Sequence, residues 1–150
     1  MKRNKIVITG AAGFIGSRLA TEFMRLRQEV VLVDKLSHFQ TRSQISEIYQ
    51  GEEKTKKVDR KDLELWLKEN QSSCKYIFHL GACTNTYEMN KEYLHQMNTQ
   101  YSMNLWKIAT QNKIPFFYAS SAAIYGNGEN GYDDKTHPSV FKPLNPYGLS

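Results

Sequence analysis

The chain has 150 residues, 40% of them hydrophobic and 23% charged, with a formal net charge of +5. That is the size of one domain and the composition of a globular protein rather than a disordered or fibrous one. Two cysteines are too few for a disulfide framework, no stretch is long enough to span a membrane, and the 20 Lys and Arg are dispersed without a strong basic block, which favours a solvated surface biased toward anionic small ligands over a nucleic-acid surface.

The start, Met-Lys-Arg-Asn-Lys before an apolar run, imitates a secretory signal. Glycines break that run at once and no cleavage-type region follows, so the imitation is rejected and reducing cytoplasm is the expected home. Ile6, Val7 and Ile8 have the β-branched character of a buried parallel strand. Gly10, Gly13 and Gly16 follow, and an amphipathic helix is predicted from Phe14 to Arg27. A strand that turns sharply into a helix leaves the helix's first N–H groups unpaired, a pocket suited to a diphosphate. In that reading Gly10 permits the turn, Gly13 admits a phosphate to the backbone, and Gly16 lets the helix lie close to the strand. The spacing G-x-x-G-x-x-G is one residue longer in its first half than G-x-G-x-x-G, which points to short-chain dehydrogenase relatives.

Glu29 to Val33 reads as a second strand, ending at Asp34, where an acidic residue commonly holds the adenosine ribose hydroxyls. Lys35 follows, and Arg42 and Arg60 are near in sequence; cations there suit a 2′-phosphate, so Asp34 alone leaves NAD and NADP both open. Ser37 to Gln50 is polar, with a short helix around Ile45 and Ile48. Lys56 to Val58 is expected as a third strand and Asp59 as the cap of a helix from Arg60 to about Asn70. Lys75 to Leu80 supplies a fourth strand whose His79 reads as a core histidine. Gly81 and Ala82 after it are small enough for a dinucleotide to pass close by, with Cys83 as a packing residue beside it.

One long helix is predicted from Tyr87 to Asn112, with Tyr93, Met97, Tyr101, Leu105 and Ile108 as its apolar stripe. Asn98, polar in mid-helix, either bonds the cofactor side or faces solvent. Ile114 to Ala119 is a fifth strand. Strands alternating with helices argue for an α/β fold with a parallel, doubly wound sheet. Strand five runs into Ser120 and Ser121, hydroxyls at the carboxyl end of a central strand, where ligands lie in such sheets. After a polar loop from Asn127 to Val140, Pro146 suits the first turn of a helix and places Tyr147 at its beginning. A tyrosine acts as acid or base near neutrality only if its pKa falls well below about 10. A lysine one helical turn on would do that, and its position falls just past Ser150.

Thr9 to Gly16, Phe78 to Thr86 with Glu88, Pro115 to Gly126, and Lys142 to Gly148 together resemble the extended short-chain dehydrogenase/reductase superfamily, the nucleotide-sugar epimerases and dehydratases. The Gly81-Ala82-Cys83 segment and the wording around Ser121 are most similar to its ADP-L-glycero-D-manno-heptose 6-epimerase branch. The likeness spans this chain but only the first half of a family member. It implies a Rossmann sheet cut after the fifth strand, with Ser121 and Tyr147 catalytic. It implies Gly10, Gly13, Phe14, Ile15 and Gly16 at the pyrophosphate, Asp34 and Lys35 at the ribose, and Gly81, Ala82, Cys83 and Asn98 along the dinucleotide. It also implies NADP (or NAD) as tightly held cofactor, a nucleotide-sugar substrate such as ADP-heptose, no metal, no nucleic acid or membrane partner, and a homo-oligomer for the longer protein. Residues 1–150 by themselves are expected to have negligible epimerase activity, and Phe116 to Ala119 to form an open, association-prone edge. Another nucleotide-sugar 4-epimerase or 4,6-dehydratase, or a non-catalytic nucleotide-binding module, are the alternative readings.

Overall fold

The computed structural model of the protein describes residues 3–52 and 55–150; Met1 and Lys2 of the basic start lie outside the described residues. The chain divides into two compact units. The first, residues 1–81 and 104–118, contains a five-stranded parallel sheet in the order β3-β2-β1-β4-β5. Its strands are β1 (Lys5–Thr9), β2 (Glu29–Asp34), β3 (Lys56–Asp59), β4 (Cys74–His79) and β5 (Phe116–Tyr118). Parallel neighbours must be joined by crossovers, and the intervening chain supplies them as α1 (Phe14–Arg25), the short α2 (His38–Thr41) and α3 (Ser43–Ile48), and α4 (Leu63–Asn70). β1 is central, and Ile6, Val7 and Ile8 are all but fully buried, each contributing roughly 1.5–3 kcal/mol. Ile6 and Ile8 share one core with Ala20 of α1, Leu32 of β2, Phe39 and Ile45.

Helix ends depart from the sequence reading for identifiable reasons. α1 stops at Arg25, because Arg27 adopts a left-handed backbone (φ 55°) that no helix continues through. Asp59 caps as expected, its Oδ1 accepting from the Lys61 amide, but the first turn after it is a 3-10 turn, Arg60–Asp62, before α4 begins. β5 is confined to Phe116–Tyr118 and lies at the sheet edge, with Phe117 and Tyr118 about half exposed.

The long helix begins not at Tyr87 but at α5 (Lys91–Leu94), where the Asn90 side chain accepts from the Tyr93 amide. It passes through a π-helical turn, His95–Gln100, into α6 (Tyr101–Gln111). The extra residue per turn shifts the buried stripe to Leu94, Asn98, Leu105 and Ile108, leaving Tyr93 exposed. Among the described residues no helix is long and apolar enough to cross a membrane.

β1 and β4 are fastened at their carboxyl ends by a buried polar knot. Thr9 Oγ1 accepts the amides of Leu80 (3.1 Å) and Gly81 (2.9 Å), so its own proton goes to His79 Nδ1 at 2.7 Å. His79 is therefore neutral, and burial pushes its pKa down to about 4 from 6.5. Above 6.5 neither state binds a proton there. As the pH falls from 6.5 to about 4, the unfolded chain takes a proton that the folded chain refuses, and stability is lost through that window. His79→Asn, whose Oδ1 stands near the Nδ1 position but cannot titrate, is expected to lose roughly 3 kcal/mol less between neutral pH and pH near 4. Urea unfolding of both proteins at the two pH values reads this out; equal acid losses would refute it.

Candidate active site

In the first unit, β1 ends at Thr9 and the chain reverses at Gly10, whose φ of +68° favours glycine. The same glycine lies against the end of β4. A Cβ on Gly10 would stand 2.9 Å from the Gly81 backbone, and one on Gly81 would stand 2.8 Å from the Gly10 amide. A Cβ on Gly16 would run into the Gly10 carbonyl oxygen and lie 2.7 Å from its carbon, which brings α1 as close to the turn as backbone allows. Gly13 is the N-cap residue of α1; no side chain caps the helix and no acidic residue occupies its first turn. Phe14 and Ile15, though apolar, are 82% and 66% exposed beside that helix start. An uncapped twelve-residue helix, entered through a turn that begins and ends on glycine, suits the diphosphate of a dinucleotide.

Beside this turn stands Asp34, at the end of β2. Its Oδ2 accepts the Ala12 amide at 3.0 Å, which ties the glycine turn to the second strand. Its Oδ1 accepts the Lys35 amide at 2.8 Å and the His38 ring nitrogen Nδ1 at 2.8 Å. Lys35 itself is exposed. Arg42 donates to the Ala12 carbonyl at 2.6 Å, and Tyr49 to the Ala11 carbonyl at 2.7 Å. Burial pushes the Tyr49 phenol upward, so it stays a donor. A cavity of about 840 Å³ opens here, its wall including Arg18, Thr41, Arg42 and Ser43.

The second unit, residues 82–103 and 119–150, carries the remaining predicted residues. Asn98 does not face solvent: it is buried in the π-helical turn, accepting the Cys83 amide at 2.8 Å and donating to the Cys83 carbonyl at 3.2 Å and Ser150 Oγ at 2.8 Å. Cys83 is half-buried and free, and Ala82 before it is exposed. Ser121 is the N-cap of a 3-10 turn, Ala122–Tyr125, its Oγ accepting from the Ala123 amide at 3.2 Å. Tyr147 lies in α7 (Pro146–Leu149), capped by Asn145, whose Oδ1 accepts the Gly148 amide at 2.8 Å. The two turns are packed on each other. A Cβ on Gly148 would stand 2.9 Å from the Ala123 carbonyl, so glycine at that place lets the helix of Tyr147 approach the turn of Ser121. Ser121 and Tyr147 are both half-buried.

The first unit thus gathers Gly10, Gly13, Phe14, Ile15, Gly16, Asp34, Lys35 and Gly81, and the second gathers Cys83 with Asn98 and the Ser121 turn with the Tyr147 helix. Sequence reasoning missed Thr9, His38 and Ser150. Thr9 could have been found as a hydroxyl closing a central strand, whereas His38, in a four-residue helix after Asp34, has no local period to announce it. Ser150 carries no local signal; its hydroxyl donates to the Tyr147 carbonyl at 2.8 Å while Thr99 donates to its carbonyl at 3.1 Å.

The family profile described as "NAD dependent epimerase/dehydratase family" matches residues 6–150. An ADP-L-glycero-D-manno-heptose-6-epimerase of Fusobacterium nucleatum is 35% identical over 97% of this chain and 44% of its own length. The enzyme of that name from Alkalilimnicola ehrlichii is 36% identical over the same shares. Among solved structures, the UDP-Glc/GlcNAc 4-epimerase of Campylobacter jejuni superposes with a TM-score of 0.78 at 25% identity, over 97% of this chain and 45% of that one. The ADP-L-glycero-D-manno-heptose-6-epimerase of Helicobacter pylori superposes with a TM-score of 0.72 at 30% identity, over 98% and 47%. The chain spans less than half the length of these relatives.

Proposed function

The chain belongs to the NAD dependent epimerase/dehydratase family, and from that premise we propose that the whole protein is a nucleotide-sugar epimerase that holds NADP and inverts the side-chain carbon of ADP-D-glycero-D-manno-heptose, for lipopolysaccharide core-sugar supply. What carries this reading is the uncapped start of α1 behind a glycine turn, in a chain that also keeps Ser121 and Tyr147 on two turns packed together. The ADP-heptose assignment draws on the relatives of that name. NADP rather than NAD draws on Lys35, next to Asp34 in the chain, and on Arg18 and Arg42 in the cavity wall. Free Cys74 and Cys83 agree with a reducing cytoplasm. In this reading residues 1–150 form the dinucleotide-binding part, the sugar-selecting segments lie elsewhere in the whole protein, and the whole protein is a homo-oligomer.

The chemistry divides between cofactor and side chains. Bound nicotinamide would accept a hydride from the sugar carbon and return it to the opposite face. Gly10, Gly13, Phe14, Ile15 and Gly16 hold the diphosphate, and Asp34 and Lys35 the ribose. Gly81, Ala82, Cys83 and Asn98 line the dinucleotide, Asn98 through its grip on the Cys83 backbone. Tyr147 takes the alcohol proton as the carbonyl forms and gives it back afterwards, while Ser121 donates to the same oxygen.

A substrate panel tests the assignment. The whole gene product, given ADP-D-glycero-D-manno-heptose, UDP-hexoses and dTDP-glucose, is expected to epimerise the heptose alone, followed by proton NMR of the sugar. Turnover of a UDP-hexose with the heptose untouched would transfer the assignment to a 4-epimerase, the reading favoured by the Campylobacter structure.

A further inference from the structure

The occupation of the Asp34 carboxylate bears on which dinucleotide the cradle takes, an inference that rests on the dinucleotide reading above. An ionised carboxylate only accepts, with about two places on each oxygen. Both places on Oδ1 are taken, one by the Lys35 amide and one by His38, which must therefore carry its proton on Nδ1. Oδ2 holds the Ala12 amide and keeps one place open. A ribose diol that donates from both hydroxyls needs an open place on each oxygen, and this carboxylate offers one in all. The bond is not a surface fringe, since the side chains of His38 and Asp34 are 27% and 12% exposed.

We propose that His38 is a specificity-determining residue: by occupying Asp34 Oδ1 it shuts out the 2′-hydroxyl of NAD, leaves Oδ2 to the 3′-hydroxyl common to both dinucleotides, and turns the adenosine end toward a 2′-phosphate. Three donors on Asp34 also offset the carboxylate charge that would otherwise repel that phosphate. Arg42 is held to the turn through the Ala12 carbonyl, and Arg18 shares the cavity wall with it.

Two substitutions in the whole, cofactor-stripped protein test this, with the Kd of NAD and of NADP measured by calorimetry. His38→Phe keeps a ring but cannot donate, freeing Oδ1; the preference for NADP over NAD is expected to fall about tenfold, the worth of one hydrogen bond to a charged group. His38→Asn can donate from a nearby place and is expected to keep the parent preference. A ratio within twofold of the parent in His38→Phe, or a parent that prefers NAD, overturns the inference while the dinucleotide reading stands. Binding of neither dinucleotide by the parent overturns both.

Discussion

Gly16→Ala is expected to abolish tight dinucleotide binding and to destabilise the fold. The added methyl would be driven into the Gly10 carbonyl oxygen, with the Gly10 carbon at 2.7 Å and the Ala11 Cα at 3.1 Å. All three are backbone, so no side chain can rotate away; either α1 slides outward or the turn opens. Forced backbone shifts of this kind cost about 1–3 kcal/mol of stability. The helix-start amides then leave the diphosphate's reach. Losing two charge-assisted hydrogen bonds weakens affinity at least about 100-fold. Gly51→Asn is the control, because a Cβ there meets nothing within 4 Å and Asn tolerates the left-handed backbone. Calorimetric titration of both variants with NADP and NAD distinguishes the cases; near-parental affinity in Gly16→Ala would sink the cradle.

Tyr147→Phe in the whole protein is expected to lower kcat about 1,000-fold while leaving the affinity for nucleotide sugar and dinucleotide within about threefold. The ring stays, so α7 keeps its Asn145 cap and its approach to Ala123; only the hydroxyl proposed to move the proton is lost. Ser121→Ala removes a donor rather than the proton carrier, and its cost is expected at about 100-fold. Ser121 also caps its own turn, so part of its effect is local. Single-turnover kinetics beside equilibrium binding separate the two contributions. Turnover by Tyr147→Phe within tenfold of the parent would move the acid–base role to another residue.

The β1-turn-α1 unit was legible because local rules agree there: β-branched residues, glycines at fixed spacing and an amphipathic period all specify the same strand, turn and helix. Asp34 was legible for the same reason, by its distance from that turn. His38 beside it was not, because α2 is only four residues long and is held by tertiary packing of Phe39, which no local period announces. The start of the long helix was misplaced because the Tyr87–Met89 stretch continues an apolar pattern, whereas the Asn90 side chain decides where the turn begins. The π-helical turn was not legible, because Asn98 read only as cofactor-facing or solvent-facing in one continuous helix. Its amide is spent on the Cys83 backbone and Ser150. Where two outcomes for Asn98 stood open, burial removed the solvent-facing one.

The knot between Thr9 and His79 joins positions 70 apart in the chain. The polypeptide must therefore traverse two further strands and their crossovers before β4 can zip onto β1, a loop whose closure costs entropy ahead of any reward. The close approach of Gly81 to the Gly10 turn forms only at that moment, so a dinucleotide cradle built there would be completed in the long-range stage of folding rather than in the quick local one. A dinucleotide that binds only the folded chain would then add to its stability in proportion to the logarithm of its own concentration.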